Sequence, residues 1–395
     1  MADIALVDCN NFFASCEQLE DPSLQGKPVC VLSNNDGCVI ARSKEAKQMG
    51  IPMGFPLFKA KEQFPNVIYL SGRHSYYRDI SKRIMKMLSE YTPSIEVYSI
   101  DEAFLDLSGL KKLYRKPYIE LIHEIKKEIK NEIGIPVSIG IAPSKTLAKL
   151  ACEKAKKHTA YDGVYQIRFK HIDEELKSTP IEDIWGVGRN TAALFHKYGI
   201  YKASEIVKQN DFWLKKIWGK RGVELKMELE GKSVYPVIDK PALPKSLQRT
   251  SSFGIFTSDK NYIKNTLHHH MHETCAKLRQ LHMKCETVSV MLRTKDFHVH
   301  CDTMVLPHPS DNEIIINEYA DKIFEKLYNP AIIYRSSGIY AGKLTEQTSS
   351  QLYLFDIFQP EKTEKEQKAE KLSALWDSFE QKYGKGTFQI GLLNS

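Results

Sequence analysis

The sequence predicts an α+β chain of several domains, and three observations carry that reading. A chain of 395 residues is too long for one hydrophobic core, so about two to four domains are expected. Over residues 3–157, short β-prone runs alternate with helix-periodic runs around a pair of acidic segments, the order of a ferredoxin-like sheet. Val234 to Pro244 then carries three prolines and reads as an extended linker to a second α+β region.

Each element follows from local chemistry. Residues 3–8 are an apolar run and predict a buried strand. Asn10 to Leu19 predicts a helix carrying Phe12, Phe13 and Cys16. Val29–Leu32 and Cys38–Ala41 read as strands on either side of the turn signal Ser33–Gly37. Ser43 is placed to cap a helix, Lys44 to Met49, that Gly50 stops. Tyr76 to Tyr91 has helical apolar spacing through Ile80, Ile84 and Leu88. After the strand pair around Asp101, Tyr118 to Ile133 predicts an amphipathic helix and Val137–Ile141 a strand. A helix capped by Ser144 follows, Lys145 to Lys156. From Pro180 the pattern changes to short helices and the loop Trp185–Arg189. Residues 245–342 mix strands (Thr287–Arg293, Gly338–Leu344) with helices (Tyr262–Leu281, Asn317–Leu327). Lys362 to Tyr383 is a charged helix with apolar Leu372, Leu375, Trp376 and Phe379. No internal repeat is visible.

Composition narrows the class. A net charge of +7 is compatible with a polyanionic partner. Eight cysteines without a CxxC pair argue against a disulfide framework and for a reducing compartment. The N-terminus lacks a signal-peptide pattern, and no apolar run reaches the roughly 18 residues of a membrane span. A cytoplasmic, nucleoid-associated protein with no membrane partner is expected.

The chemistry centres on Tyr98-Ser-Ile-Asp-Glu-Ala-Phe-Leu-Asp-Leu107. Asp101 and Glu102 interrupt an apolar strand-like run, and the strand Ile4–Val7 ends on Asp8. Carboxylates are rarely buried unless paired or bound to metal. Acids at adjoining strand ends make a hard oxygen-ligand site suited to magnesium. Strand alternation sets Asp101 and Glu102 on opposite faces, so Asp8 and Asp101 rank above Glu102 as ligands. The helix after Ser144 holds five lysines against one acid. Lys145, Lys149 and Lys156 share one face suited to neutralising a triphosphate. Arg42 and Lys47 stand to do the same from the small lobe. Gly186 and Gly188, followed by Arg189, resemble a helix-hairpin-helix turn that brings backbone amides close to a phosphate. Residues 241–300, with Arg249 and Arg293 among them, hold nine Lys/Arg, four Asp/Glu and seven His, which suits tracking a nucleic-acid backbone. His268, His272 and Cys275 fall on one helical face like a zinc site, without an evident fourth ligand. Gln351-Leu-Tyr-Leu-Phe355 reads either as an edge strand or as a docking peptide.

Three of these segments together resemble the Y-family translesion DNA polymerases: Ile4–Glu17, Tyr98–Phe104 and Ser138–Lys149. Asn34–Lys47 is similar to the UmuC branch, the catalytic subunit of bacterial DNA polymerase V. The resemblance runs from residue 3 to about residue 391 and implies a right-hand polymerase. Its expected parts are a palm (1–24 and 71–167), fingers (25–70), a helical thumb (168–234), a linker (235–244), a little finger (245–345), a clamp-binding peptide (346–358) and a helical tail (359–395). The family implies two Mg2+ ions, with Mn2+ as a substitute, held by Asp8, Asp101, Glu102 and the carbonyl of Cys9. It puts Phe13 at the steric gate that rejects ribose, with Asn11 and Phe12 beside the incoming nucleotide. Lys156, Lys47 and Arg42 meet the triphosphate. Ser43 and Lys44 depart from the family's hydroxyl phosphate readers. Lys145, Lys149, Gly186, Gly188, Arg189, Arg249 and Arg293 are expected at DNA, and Gln351, Leu352, Leu354 and Phe355 at the sliding clamp. Implied partners are primed template DNA, dNTPs, a UmuD-like subunit and a recombinase filament. The function expected is error-prone synthesis past lesions within SOS-type DNA repair. A DNA-binding scaffold without activity and a two-metal nucleotide cyclase are the other classes. The intact acids argue against the first, the linked basic domain against the second.

Overall fold

A computed structural model describes residues 3–240, 242–346 and 364–383. The chain divides into two compact units, Met1–Pro241 and Ala242–Ser395.

In the first unit the central strand β1 (Ile4–Cys9) is wholly buried. It is buried on both faces because it divides two cores. Ala5, Val7 and Cys9 enter one, and Ile4 and Leu6 enter the other. A small sheet follows: β2 (Val29–Leu32), β3 (Val39–Arg42) and β4 (Ile68–Ser71), ordered β3-β2-β4. Its tight turn uses Asn35 and Asp36 at positive φ, which these residues tolerate better than most. The main sheet is completed by β5 (Ile95–Val97), β6 (Glu102–Asp106), β7 (Val137–Ala142) and β8 (Val164–Gln166), in the order β5-β6-β1-β7-β8. Helices Phe12–Glu20, His74–Tyr91 and Tyr118–Glu128 cover one face. Helix Lys145–Lys157 and the short helices beyond residue 172 cover the other. The helix expected to reach Ile133 stops at Glu128. A wider turn, Ile129–Ile133, replaces its end and closes on Gly134 at φ 87°.

The second unit is a four-stranded antiparallel sheet of β9 (Ser246–Thr257), β10 (Met283–Thr294), β11 (Val299–Ser310) and β12 (Tyr334–Glu346), ordered β11-β10-β12-β9. Helices Lys260–Gln280 and Glu313–Leu327 pack on it around Ile263, Leu267, Phe324 and Tyr334. The sequence pattern misses β9 and β11. Pro307 and Pro309 hide β11, and they are tolerated because β11 is an edge. The zinc-like trio does not form. His268 pairs with Asp321 and His272 with Glu313, each at 2.8 Å, and Cys275 is sealed in the core. Among the described residues no helix is long and apolar enough to cross a membrane.

Candidate active site

The acids meet because of strand register. β1 pairs antiparallel with β6, and Asp8 stands directly across from Glu102. Register partners point to one face, so Asp8, Ile4, Leu6, Glu102 and Phe104 all look toward helix Lys145–Lys157. Asp101 precedes β6 and lies in a tight turn. Its carbonyl accepts from Cys9 N at 2.9 Å, and its carboxylate accepts from Ser99 Oγ at 2.5 Å. Ser99 Oγ also accepts from the amides of Asp101 and Glu102, at 3.2 and 3.0 Å. The expected ranking therefore changes: Glu102, not Asp101, is the immediate neighbour of Asp8. Strand alternation misled because the strand begins only at Glu102.

The lysine helix is brought onto the sheet at one glycine. A Cβ on Gly140 would stand 2.2 Å from Ala148 O and from Cys152 N, so only glycine lets β7 carry this helix so closely. Ser144 caps the helix by accepting from Leu147 N and donates to Glu228 O at 2.7 Å. The lysine face then meets three acids in a ladder: Lys145 with Glu96, Lys149 with Glu102 at 2.8 Å, and Lys156 with Asp8 at 2.6 Å. Lys145 is only 3 % exposed and sits 4.9 Å from the Phe104 ring. That corrects its place in the expected phosphate-facing stripe, because its ammonium is already committed inside the fold. Lys149 lies over Tyr98 and Trp185, at 5.0 and 5.9 Å.

Electrostatically the site is dominated by burial of its acids. Burial pushes the Asp8 carboxyl up to about 7, and the adjacent Glu102 adds to the rise against the pull of Lys156. Burial opposes ionisation of Glu102 as well, yet hydrogen bonds from Lys149 and from Asp8 hold it below its usual value. The two facing carboxyls are thus pushed apart, Asp8 toward easier protonation and Glu102 away from it. Asp8 in turn holds the Lys156 ammonium above its ordinary range despite burial. Hard oxygen donors at adjoining strand ends fit a divalent cation. Among the described residues, though, no three His, Cys, Asp or Glu stand together as a ready ligand set, and Asp101 is turned to Ser99.

The neighbouring residues divide into two kinds. Asn11 takes φ 53° and starts helix Phe12–Glu20. Phe12 is 3 % exposed and its ring belongs to the core. Phe13 is half-buried and stacks on Tyr77 with centroids 4.5 Å apart. Ser43 is also buried: it donates to Lys27 O and accepts from Val29 N and Ala46 N, which leaves it to the fold. Arg42 bonds Ile51 O, while its Nε is buried without a hydrogen-bond partner. Burial and the charges of Arg42 and Lys156 depress the Lys47 ammonium. Lys47 therefore lies within reach of the charges of Arg42, Lys156 and Asp8.

Further away, Gly186 takes φ 87° and Gly188 starts helix Arg189–Lys197 with Arg189 exposed. In the second unit Arg249 is exposed on β9, 3.9 Å from Glu273, and Arg293 on β10 is half-buried with its Nε unpartnered. Gln351, Leu352, Leu354 and Phe355 lie outside the described residues. Sequence reasoning missed Ser99, Glu96 and Tyr77. Only Ser99, two residues before Asp101, carried a turn signal.

Comparison with known proteins follows the same lines. Residues 7–153 match the impB/mucB/samB family, and residues 244–354 match its C-terminal domain. Protein UmuC of Salmonella typhimurium is 34% identical over 396 residues, covering 97% of this chain and 92% of that protein. DNA polymerase IV 1 of Halalkalibacterium halodurans is 31% identical over 328 residues, 82% of this chain and 78% of that one. A chimera of the Y-family DNA polymerases Dbh and Dpo4 superposes with a TM-score of 0.74 at 28% identity, covering 87% of this chain and 99% of its own. The insertion ternary complex of Dbh DNA polymerase gives 0.60 at 27% identity with the same coverage. The chain belongs to the impB/mucB/samB family and is a Y-family, DNA-directed DNA polymerase of UmuC type.

Proposed function

We propose that the chain carries out error-prone, template-directed DNA synthesis past lesions, moving a nucleotide from a dNTP to a primer 3′-hydroxyl. The observation that supports it most is the Asp8–Glu102 pair, two carboxyls in register at adjoining strand ends under a lysine helix. Asp8, Glu102, Asp101 and the Cys9 carbonyl are the groups that would hold two Mg2+ or Mn2+ ions. Bound there, the ions would supply Lewis acidity to the attacking hydroxyl and charge neutralisation to the leaving pyrophosphate.

The chain's own residues do the rest. Lys156, paired with Asp8, neutralises the triphosphate together with Lys47 and Arg42, whose charges act on one another. Lys149 balances Glu102 until that carboxylate is needed elsewhere. Phe13 stands in the first turn after Asn11, where its ring excludes a ribose 2′-hydroxyl. The Gly186–Gly188 turn and Arg189 grip the duplex backbone, and Arg249 and Arg293 track it from the second unit. Gln351–Phe355 docks on the sliding clamp on the strength of its sequence. The setting is SOS-type damage tolerance with a UmuD-like subunit and a recombinase filament, in line with the UmuC relative.

Primer extension tests this on primed single-stranded DNA with Mg2+, across an undamaged base and an abasic site, with Asp101→Ala as control. Extension by the wild type alone, including past the abasic site, is expected. Extension by Asp101→Ala, or none by the wild type with clamp and accessory subunits present, would overturn it.

A further inference from the structure

Behind Phe13 lies a set of side chains that no expected role uses. The Phe13 ring is exposed on one side and on the other stacks nearly flat on Tyr77, at 4.5 Å and 17°. His74 closes the edge at 5.7 Å and 85°. Tyr77 is fully buried, and its hydroxyl donates to Glu17 Oε1 at 2.5 Å. Glu17 is 6 % exposed, and its charge is balanced by a bidentate pair with Arg73, at 3.0 and 2.7 Å. Arg73 lies 4.7 Å over the Tyr76 ring. A buried carboxylate is kept only where its partners are well placed, and a bidentate guanidinium fixes direction as well as charge. One helix thus supplies Phe13 and Glu17, a second supplies Arg73, His74 and Tyr77, and the network locks the two together.

We infer that Tyr77 is a positioning residue for sugar selection: its buried ring, pinned by Glu17 and Arg73, fixes where the Phe13 ring stands and so sets discrimination against ribonucleotides. The inference rests on Phe13 being the sugar gate. An aromatic gate rejects a hydroxyl only if it cannot retreat. A half-buried ring on a soft bed swings aside, whereas one stacked on a fixed plate collides. Misplacement by about 1 Å is enough to alter such a step by up to ~10²-fold.

The test is the ratio of dNTP to rNTP incorporation efficiency, measured on the full chain with its clamp and accessory subunits for Tyr77→Met, Tyr77→Phe and Phe13→Ala. Methionine fills space flexibly but gives no flat plate, so Tyr77→Met is expected to lower the ratio about tenfold, through better ribonucleotide use. Tyr77→Phe keeps the plate but loses its pin to Glu17, so it is expected to lower the ratio about threefold, less than Tyr77→Met, with dNTP incorporation itself little changed, a split that a merely structural role would not give. A wild-type ratio in Tyr77→Met alongside a relaxed ratio in Phe13→Ala overturns the inference and leaves the gate standing. An unchanged ratio in Phe13→Ala removes the gate itself and the inference with it. If Tyr77→Met does not fold, Arg73→Gln loosens the same ring through Glu17 from a part-exposed position. A wild-type ratio there also overturns it.

Discussion

Both units set a helix rich in cations against acids, and they do so to opposite effect. In the second unit the acids facing helix Lys260–Gln280 from the neighbouring helix have partners on it. Asp321 takes His268 and Lys264, at 2.8 and 3.0 Å, and despite partial burial its carboxyl is held below the usual range. In the first unit Asp8 and Glu102 face each other across a register pair, and Asp8 rises to about 7 even with Lys156 attached. A balanced pair is a finished structure. Two largely buried carboxyls facing each other are kept at a cost in desolvation, and their hard oxygens mark a candidate cation site.

Neutralising one acid in each unit would break the comparison most sharply. Asp8→Asn keeps the shape, an acceptor for Lys156 and a donor for Glu102, so thermal stability should not fall. Primer extension should drop ~10³-fold, about 4 kcal/mol of transition-state stabilisation. Asp321→Asn should leave extension within about twofold. Equal losses in both variants, by steady-state kinetics, would dissolve the distinction. Next in size is Gly140→Ala. Its methyl would press on Ala148 O and Cys152 N, backbone that has nowhere to go. A loss of about 3 kcal/mol is expected from denaturant unfolding, with extension falling because the helix that carries Lys156 is pushed off β1 and β7. A variant of wild-type stability would show the helix free to move.

How legible this was differs between the two regions as well. The apolar runs of β1, β2 and β7 and the Ser144 cap announce themselves, because central strands and caps are local chemistry. Asp8 and Asp101 were visible as acids in apolar runs, and Lys156 as part of a lysine stripe on one helix. Their pairing was not, since register is set by partners far along the chain: Glu102 meets Asp8 and Glu96 meets Lys145 only once the sheet closes. The burial of the Phe12 ring beside the half-buried Phe13 was not legible either, because a single-residue step on a helix turns the ring by about 100°. In the second unit β11 was hidden by Pro307 and Pro309, and the histidines mimicked a metal site because spacing alone does not show Asp321 or Glu313 facing them.

The smallest expected effect sharpens the contrast through pH. His270 on helix Lys260–Gln280 is 6 % exposed, with Nε2 3.0 Å from Ser251 Oγ. Burial lowers its imidazole to about 4. The charges of His269 and Arg249 push the same way, and Glu273 opposes them. The unfolded chain, at an ordinary 6.5, binds the proton first as pH falls. The neutral ring's contribution is therefore complete above pH 6.5 and is lost between 6.5 and 4, amounting to about 2 kcal/mol between pH 7 and pH 5. His270→Gln can still bond Ser251 but does not titrate. Denaturation of the full chains at pH 7 and 5 should show the wild type losing about 2 kcal/mol more than the variant. Equal losses would mean that His270 takes up a proton without cost. The second unit would then hold a tolerated charge like the first, and the separation between a finished ion-pair surface and an unsatisfied one would rest on Asp8 alone.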